Sequence, residues 1–217
     1  MHSNTHPQAT PMQALQTLFD LDRWADVVDT GSPMLGAAPD AVAHVLVSHA
    51  LLQLGRKQAA HTVALQALAR WPTDADACLA TSNAELALGL LSQAERQARA
   101  GLHHAPGDAQ LVAVLVRVLL ALGQFQAAHA QCMAALELRP EAAYYRYLTA
   151  VALWNMGQPD NARRMLDEAL AIDPLDADYL ALRAEFERPY NAQRAQQLAR
   201  QALRLNPRLT QAQRLLK

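Results

Sequence analysis

The stretch LLALGQFQAAHAQCMAALELRP, residues 119–140, decides how this chain folds. Gly123 breaks an apolar run, Ala128, Cys132, Ala135, Leu136 and Leu138 follow at helical spacing, and Pro140 ends the passage. Glycine permits the left-handed conformation that stops a helix and turns the chain. Proline pushes the residue before it out of the α region, so a second helix must close there. Outward from this stretch the same marks return every 34 residues: Pro72, Pro106, Pro140 and Pro174; Gly55, Gly89, Gly123 and Gly157. Ala60, Ala94, Ala128 and Ala162 keep the register, as do Leu68, Leu102, Leu136 and Leu170. Independent columns at one period mark a repeat architecture.

Each period predicts two helices. The first runs from about Ala41, Ala75, Ala109 or Ala143 to the glycine, and the second runs on to the proline. Asp40, Asp74, Asp108 and Asp176 stand before the first helices, where a carboxylate accepts bonds from unsatisfied N–H groups. Ala142 breaks that column. The expected organisation is a flexible tail (1–11), a degenerate repeat or cap (12–40) and four clear repeats (41–74, 75–108, 109–142, 143–176). A divergent repeat (177–208) and a capping helix (209–217) follow, all of 12–217 forming one domain. In 12–40, Gly31 and Pro33 interrupt the second helix; in 177–208, ERPYN (187–191) replaces the turn glycine and one residue is missing. Terminal units of a stack are expected to depart from the pattern because one side faces water.

Composition narrows the function. Alanine dominates, hydrophobic residues make up 52% and charged residues 18%, which predicts a helical chain with ample core material. A net charge of −1 argues against a nucleic-acid-binding face. No run reaches the roughly 18 apolar residues of a membrane span. The polar start MHSNTHPQATP shows no secretory signal, and a cytoplasmic location is expected. Cys78 and Cys132 fall on apolar positions and read as buried free thiols.

The 34-residue unit with Gly123, Ala128, Ala135, Leu136 and Pro140 resembles the tetratricopeptide repeat, closely so in the four clear units. The resemblance implies an all-α, right-handed superhelical solenoid whose first helices line a concave groove. It implies a non-enzymatic adaptor or scaffold that binds a protein or peptide partner, with no cofactor. Several positions depart from the family pattern: His44, Cys78, Val112 and Arg146 at a first-helix core position, and Glu85 where an aromatic or Leu is usual.

Steps of 34 residues pick out the groove candidates: Val45, Leu79, Ala113 and Tyr147 in one row, and His49, Asn83, Arg117 and Val151 in another. Towards the helix starts lie Val42, Asp76, Gln110 and Tyr144; towards the ends lie Leu52, Leu86, Leu120 and Trp154. Asn83 can bond a peptide backbone and Arg117 can grip a carboxylate, so an apolar or helical segment with one anionic contact is the expected ligand. Among the central groove positions only Asn83 and Arg117 are of the types used by the family's carboxylate clamp and none is lysine, which argues against a full clamp. At 100° per residue Tyr144, Tyr147, Val151 and Trp154 share the groove face of their helix, whereas Tyr145 points to a neighbour. Tyr147 and Trp154 read either as packing or as interface anchors. Exposed anchors would leave the melting temperature unchanged on truncation.

Catalytic and metal readings find little support. His103 and His104 diverge on a helix and favour its C-terminal dipole, while His129 and Cys132 are a lone i, i+3 pair. DTGS (29–32) matches the aspartic-protease triplet, but that triplet needs a β-structured lobe; HPQ (6–8) is not the HPD of J-domains. Ser32, Ser48, Ser82 and Ser92 have no His and Asp at suggestive spacing. No enzyme and no metal are expected. The abrupt end after RLLK leaves a second reading, an accessory or regulatory region of a larger, membrane-associated assembly, and a secretion-type chaperone is a third.

Overall fold

The computed structural model describes residues 10–38 and 40–216. All but two residues of the tail expected at 1–11, HPQ included, lie outside them. Thr10 and Pro11 instead cap and open the first helix, Thr10 Oγ1 accepting from Gln13 N while the Gln13 side chain accepts from Thr10 N. The described residues contain helices and turns and no strand. They divide into two compact units, one reaching to Val118 and the other starting at Leu119.

The N-terminal unit opens with α1 (Pro11–Asp20), α2 (Trp24–Gly31) and a 3-10 turn (Ser32–Ala37). It continues with α3 (Val42–Gln53), α4 (Lys57–Arg70), α5 (Ala75–Leu88) and α6 (Leu91–His104). Helix α7 (Ala109–Ala121) runs across the division. The C-terminal unit holds α8 (Phe125–Leu138), α9 (Ala143–Asn155), α10 (Pro159–Ile172), α11 (Ala177–Glu187), α12 (Ala192–Leu205) and α13 (Thr210–Arg214).

The helix ends follow from the residues placed there. Gly55, Gly89, Gly123 and Gly157 have φ of 72°, 78°, 72° and 73°, the left-handed turn between first and second helices. Asp74, Asp108 and Asp176 accept from the backbone N–H of Ala77, Leu111 and Tyr179 at 2.8, 2.9 and 2.9 Å. Asp40 does not fill that role as expected: α3 begins at Val42, so Ala41 holds the cap position, and Asp40 Oδ1 accepts from Val42 N at 3.1 Å. Ala142 caps α9 without a side-chain bond.

Second helices bury small residues in register, which lets helices approach closely. Ala60, Ala94, Ala128 and Ala162 are all fully buried, and so are Ala64, Ala98, Cys132 and Leu166 one turn later. Cys132 is therefore a core thiol, its pKa pushed up to about 12 by burial; Cys78 is likewise buried, and both are free. Leu138, expected among these apolar positions, is 73% exposed because it lies on the last residue of α8. Gly101 takes the place of Ala67 and Ala135 in its column. A Cβ there would stand 2.7 Å from Leu111 Cδ2, since α7 presents a leucine where α5 presents Ala77.

Hydroxyls are absorbed by the same packing. Ser48 Oγ donates to the Ala60 carbonyl at 3.1 Å and Ser82 Oγ to that of Ala94 at 2.8 Å, one repeat further on. These serines tie a first helix to its second, satisfying otherwise costly buried polar atoms. Buried His44 meets Trp71 edge-on at 5.4 Å, and Arg146 reaches Glu168 at 3.4 Å.

Glu85 is the departure with an energetic consequence. It is 4% exposed on α5, with His61 Nε2 of α4 3.8 Å from its Oε1 and no hydrogen-bond partner for its Oε2. Burial pushes its pKa up to about 7, against a smaller opposing effect of Arg96. The folded chain therefore holds a proton between about pH 4.5 and pH 7 that the unfolded chain has released. Stability falls as pH rises through that window. Glu85→Gln should be more stable than the wild type at pH 8, by about 1–3 kcal/mol, with the advantage shrinking towards pH 5. Urea unfolding at both pH values measures this, and an equal effect at both would refute it.

Candidate functional site

In the N-terminal unit the first helices α1, α3 and α5 and the start of α7 line a groove of about 930 Å³. Of the residues selected by register, Val45, His49, Leu79 and Asn83 line it, together with Val42, Leu52, Asp76 and Gln110. Arg117 stands beside them, its Nη1 donating to Asn83 Oδ1 at 3.3 Å. The guanidinium expected to grip an anionic ligand is thus partly engaged by its own neighbour. Ala113 is half-buried on the same helix.

One part of this lining escapes a reading in steps of 34. Helix α1 contributes Gln16 and Phe19, the turn after it contributes Asp22, and α2 contributes its first residue, Trp24. Asp22 has φ of 54°, the left-handed conformation that glycine supplies in the later repeats. Aspartate is among the few residues that tolerate it. Aligning Asp22 with Gly55 gives a step of 33, which puts Gln16 in register with His49 and Phe19 with Leu52. The missing signal was this substitute for the turn glycine.

Around Asp22 the groove is aromatic. Phe19 and Trp24 meet edge-on at 5.3 Å, Phe19 and His49 at 5.1 Å, and Trp24 and His49 lie 5.5 Å apart. Burial lowers the pKa of His49, with a smaller opposing pull from Asp22, so the imidazole is neutral at pH 7. Asp76 is shifted the other way. Burial raises its pKa first, and then Asp74, Asp108 and Asp40, the acidic residues at the helix starts, raise it further.

In the C-terminal unit the aromatic face of α9 is largely occupied by the protein itself. Trp154 stacks on Phe186 of α11, centroids 4.1 Å apart and planes at 5°. Tyr147 stacks on Tyr179 at 5.0 Å and on Tyr144 at 6.0 Å. Tyr145 is buried, as its angle on the helix predicts, and Tyr144 is 39% exposed. Tyr147, Val151 and Trp154 are half-buried against a core of Leu153, Leu166, Leu182 and Phe186. Burial pushes the Tyr147 hydroxyl up to about 12. Of the two readings of Trp154, packing or exposed anchor, the stack on Phe186 and its half-buried position favour packing. Trp154→Ala should cost about 2–3 kcal/mol, less than the 3–5 of a fully buried aromatic. A thermal melt reads this directly, and a change within about 0.5 kcal/mol would mean that the stack contributes nothing in solution.

Both arrangements are those of helical hairpins stacked in series, an all-α helical-repeat solenoid class that presents first-helix side chains for contact. Tetratricopeptide repeat models match residues 48–109 and 119–186. The chain belongs to the tetratricopeptide repeat family, generally a non-enzymatic protein-interaction fold. Among similar solved structures is a thermophilic tetratricopeptide repeat protein of Thermus thermophilus, 22% identical, with a TM-score of 0.74 over 80% of this chain and 95% of that one. PilW, described as a widely conserved type IV pilus biogenesis factor, is 18% identical with a TM-score of 0.78, over 95% of this chain and 97% of its own. YrrB, described as having an unusual peptide-binding site, is 18% identical with a TM-score of 0.54, over 93% and 96%. At these identities the likeness is one of fold. No curated protein sequence matches the chain. Among the described residues no helix is long and apolar enough to cross a membrane, and no group of three or more His, Cys, Asp or Glu could hold a metal ion.

Proposed function

We propose that this interaction module acts as an adaptor or scaffold that holds a peptide or helical segment of a partner protein in the groove of its N-terminal unit. The observation that carries this reading is the groove itself. About 930 Å³ is framed by aliphatic Val45, Leu52 and Leu79, aromatic Phe19 and Trp24, and amides such as Asn83 and Gln110. An apolar lining with a few placed polar groups is the usual composition of a recognition site. Asn83 offers both a donor and an acceptor to a peptide backbone. The lining holds two carboxylates and no lysine or arginine, which favours protein over nucleic acid as the partner.

The test is affinity capture with the wild type against an Asn83→Ala/Arg117→Ala variant of unchanged melting temperature. The groove reading expects partners to be lost from the variant while a substitution at an exposed residue of the C-terminal unit, Leu138→Ser, retains them. Equal retention by all three proteins would sink it.

A further inference from the structure

We propose that the occupant of the N-terminal groove is a cationic amphipathic segment, its arginine or lysine side chains engaging Asp22 and Asp76 while its apolar side chains cover Val45, Leu52 and Leu79. The inference rests on the groove reading above and adds the chemistry of the partner. Three observations converge on it.

The first is charge. Asp22 and Asp76 are the charged side chains of the lining, and neither has an ion-pair partner among the described residues. Arg23, next to Asp22 in sequence, is committed to Asp26 at 2.7 Å, and Arg117 turns to Asn83. Among the described residues, the cations leave both carboxylates open.

The second is crowding at Asp76. Three further aspartates act on it, and each of the three already accepts a backbone N–H at a helix start. A solvent-exposed carboxylate on which like charges act is relieved by an incoming cation, whereas an anionic ligand would add to the repulsion.

The third is the aromatic trio beside Asp22. Phe19, Trp24 and a neutral His49 lie within 5.5 Å of one another in pairs and line the same groove. Aromatic faces attract guanidinium and ammonium groups, and indole does so best. Rings and carboxylate side by side form a seat with both an electrostatic and a dispersive claim on an arginine. This reverses the sign of the ligand contact expected from Arg117 alone.

The experiment uses the full chain and three fluorescent amphipathic peptides with the same stripe of Leu and Phe. Their polar positions are all Arg, all Ser or all Glu. Anisotropy titrations should rank them Arg, Ser, Glu from tightest to weakest, with about tenfold between the first two at low salt and less at high salt. Asp22→Asn/Asp76→Asn keeps the turn, because asparagine also tolerates the left-handed conformation. This variant should lose the preference for the Arg peptide while binding the Ser peptide as before, with its melting temperature verifying the fold. Glu binding as tightly as Arg, or an Arg preference that survives the double substitution, would overturn the charge assignment and leave the groove reading standing. Binding of none of the three peptides would overturn both.

Discussion

Phe186→Ala should destabilise the chain by about 3–5 kcal/mol, the range for a buried aromatic reduced to a methyl group. Phe186 is 2% exposed at the end of α11, packed with Leu153, Leu166 and Leu182 and stacked on Trp154. The cavity left behind cannot close easily, because the second-helix residues behind it are already small and buried: Ala162 and Ala169. Phe186→Leu should cost less than half as much, since it retains most of the volume. Urea unfolding of both variants measures the pair. A loss below about 1 kcal/mol for the alanine variant would show that the C-terminal unit repacks around the gap.

Arg183→Ala should cost a comparable amount, about 3–5 kcal/mol, for a different reason. The Arg183 side chain is buried on α11, its Nε donating to Asp167 Oδ1 of α10 at 2.7 Å and its Nη1 to Glu187 Oε2. Glu187 is only 8% exposed, so removing the guanidinium strands a carboxylate with little access to water. The cost is mostly that of an abandoned charge, which gives the prediction a sharp internal check. Arg183→Met/Glu187→Leu should recover most of the stability lost by Arg183→Ala, because a buried pair replaced by apolar side chains of similar size is close to neutral. A double variant as unstable as the single one would assign the loss to packing instead.

Much of the architecture was legible because each repeat must stop its helices at fixed places. Gly123 and Pro140 do so by backbone geometry, Asp74 and Asp176 by hydrogen bonding, and those causes survive translation along the chain. The first unit was harder to read because Asp22 performs the glycine's task with a different residue, shifting the register by one and hiding Gln16 and Phe19. The turn at ERPYN is similar: Tyr190 and Asn191 N–H groups both donate to the Glu187 carbonyl, and Asn191 then caps α12. Tyr144, Tyr147 and Trp154 were resolved only as a face. Their angles place them together, but a helix cannot announce which neighbour will cover that face. Phe186 and Tyr179, which do cover it, sit in the divergent repeat at 177–208, which lacks the turn glycine. Charge in the groove was also missed, since Arg117 is conspicuous in sequence while its bond to Asn83 exists only in three dimensions.

Both aromatic stacks join residues 32 apart, Trp154 with Phe186 and Tyr147 with Tyr179. In a one-dimensional array, stability divides into what each repeat contributes alone and what each junction adds. Stacked rings shared by consecutive first helices belong to the junction. They set how far along the array unfolding spreads once it starts. A chain with this junction intact should lose α9 to α12 in one step. Weakening it should let the terminal hairpin melt alone, and hydrogen exchange would then show two protection levels where there had been one.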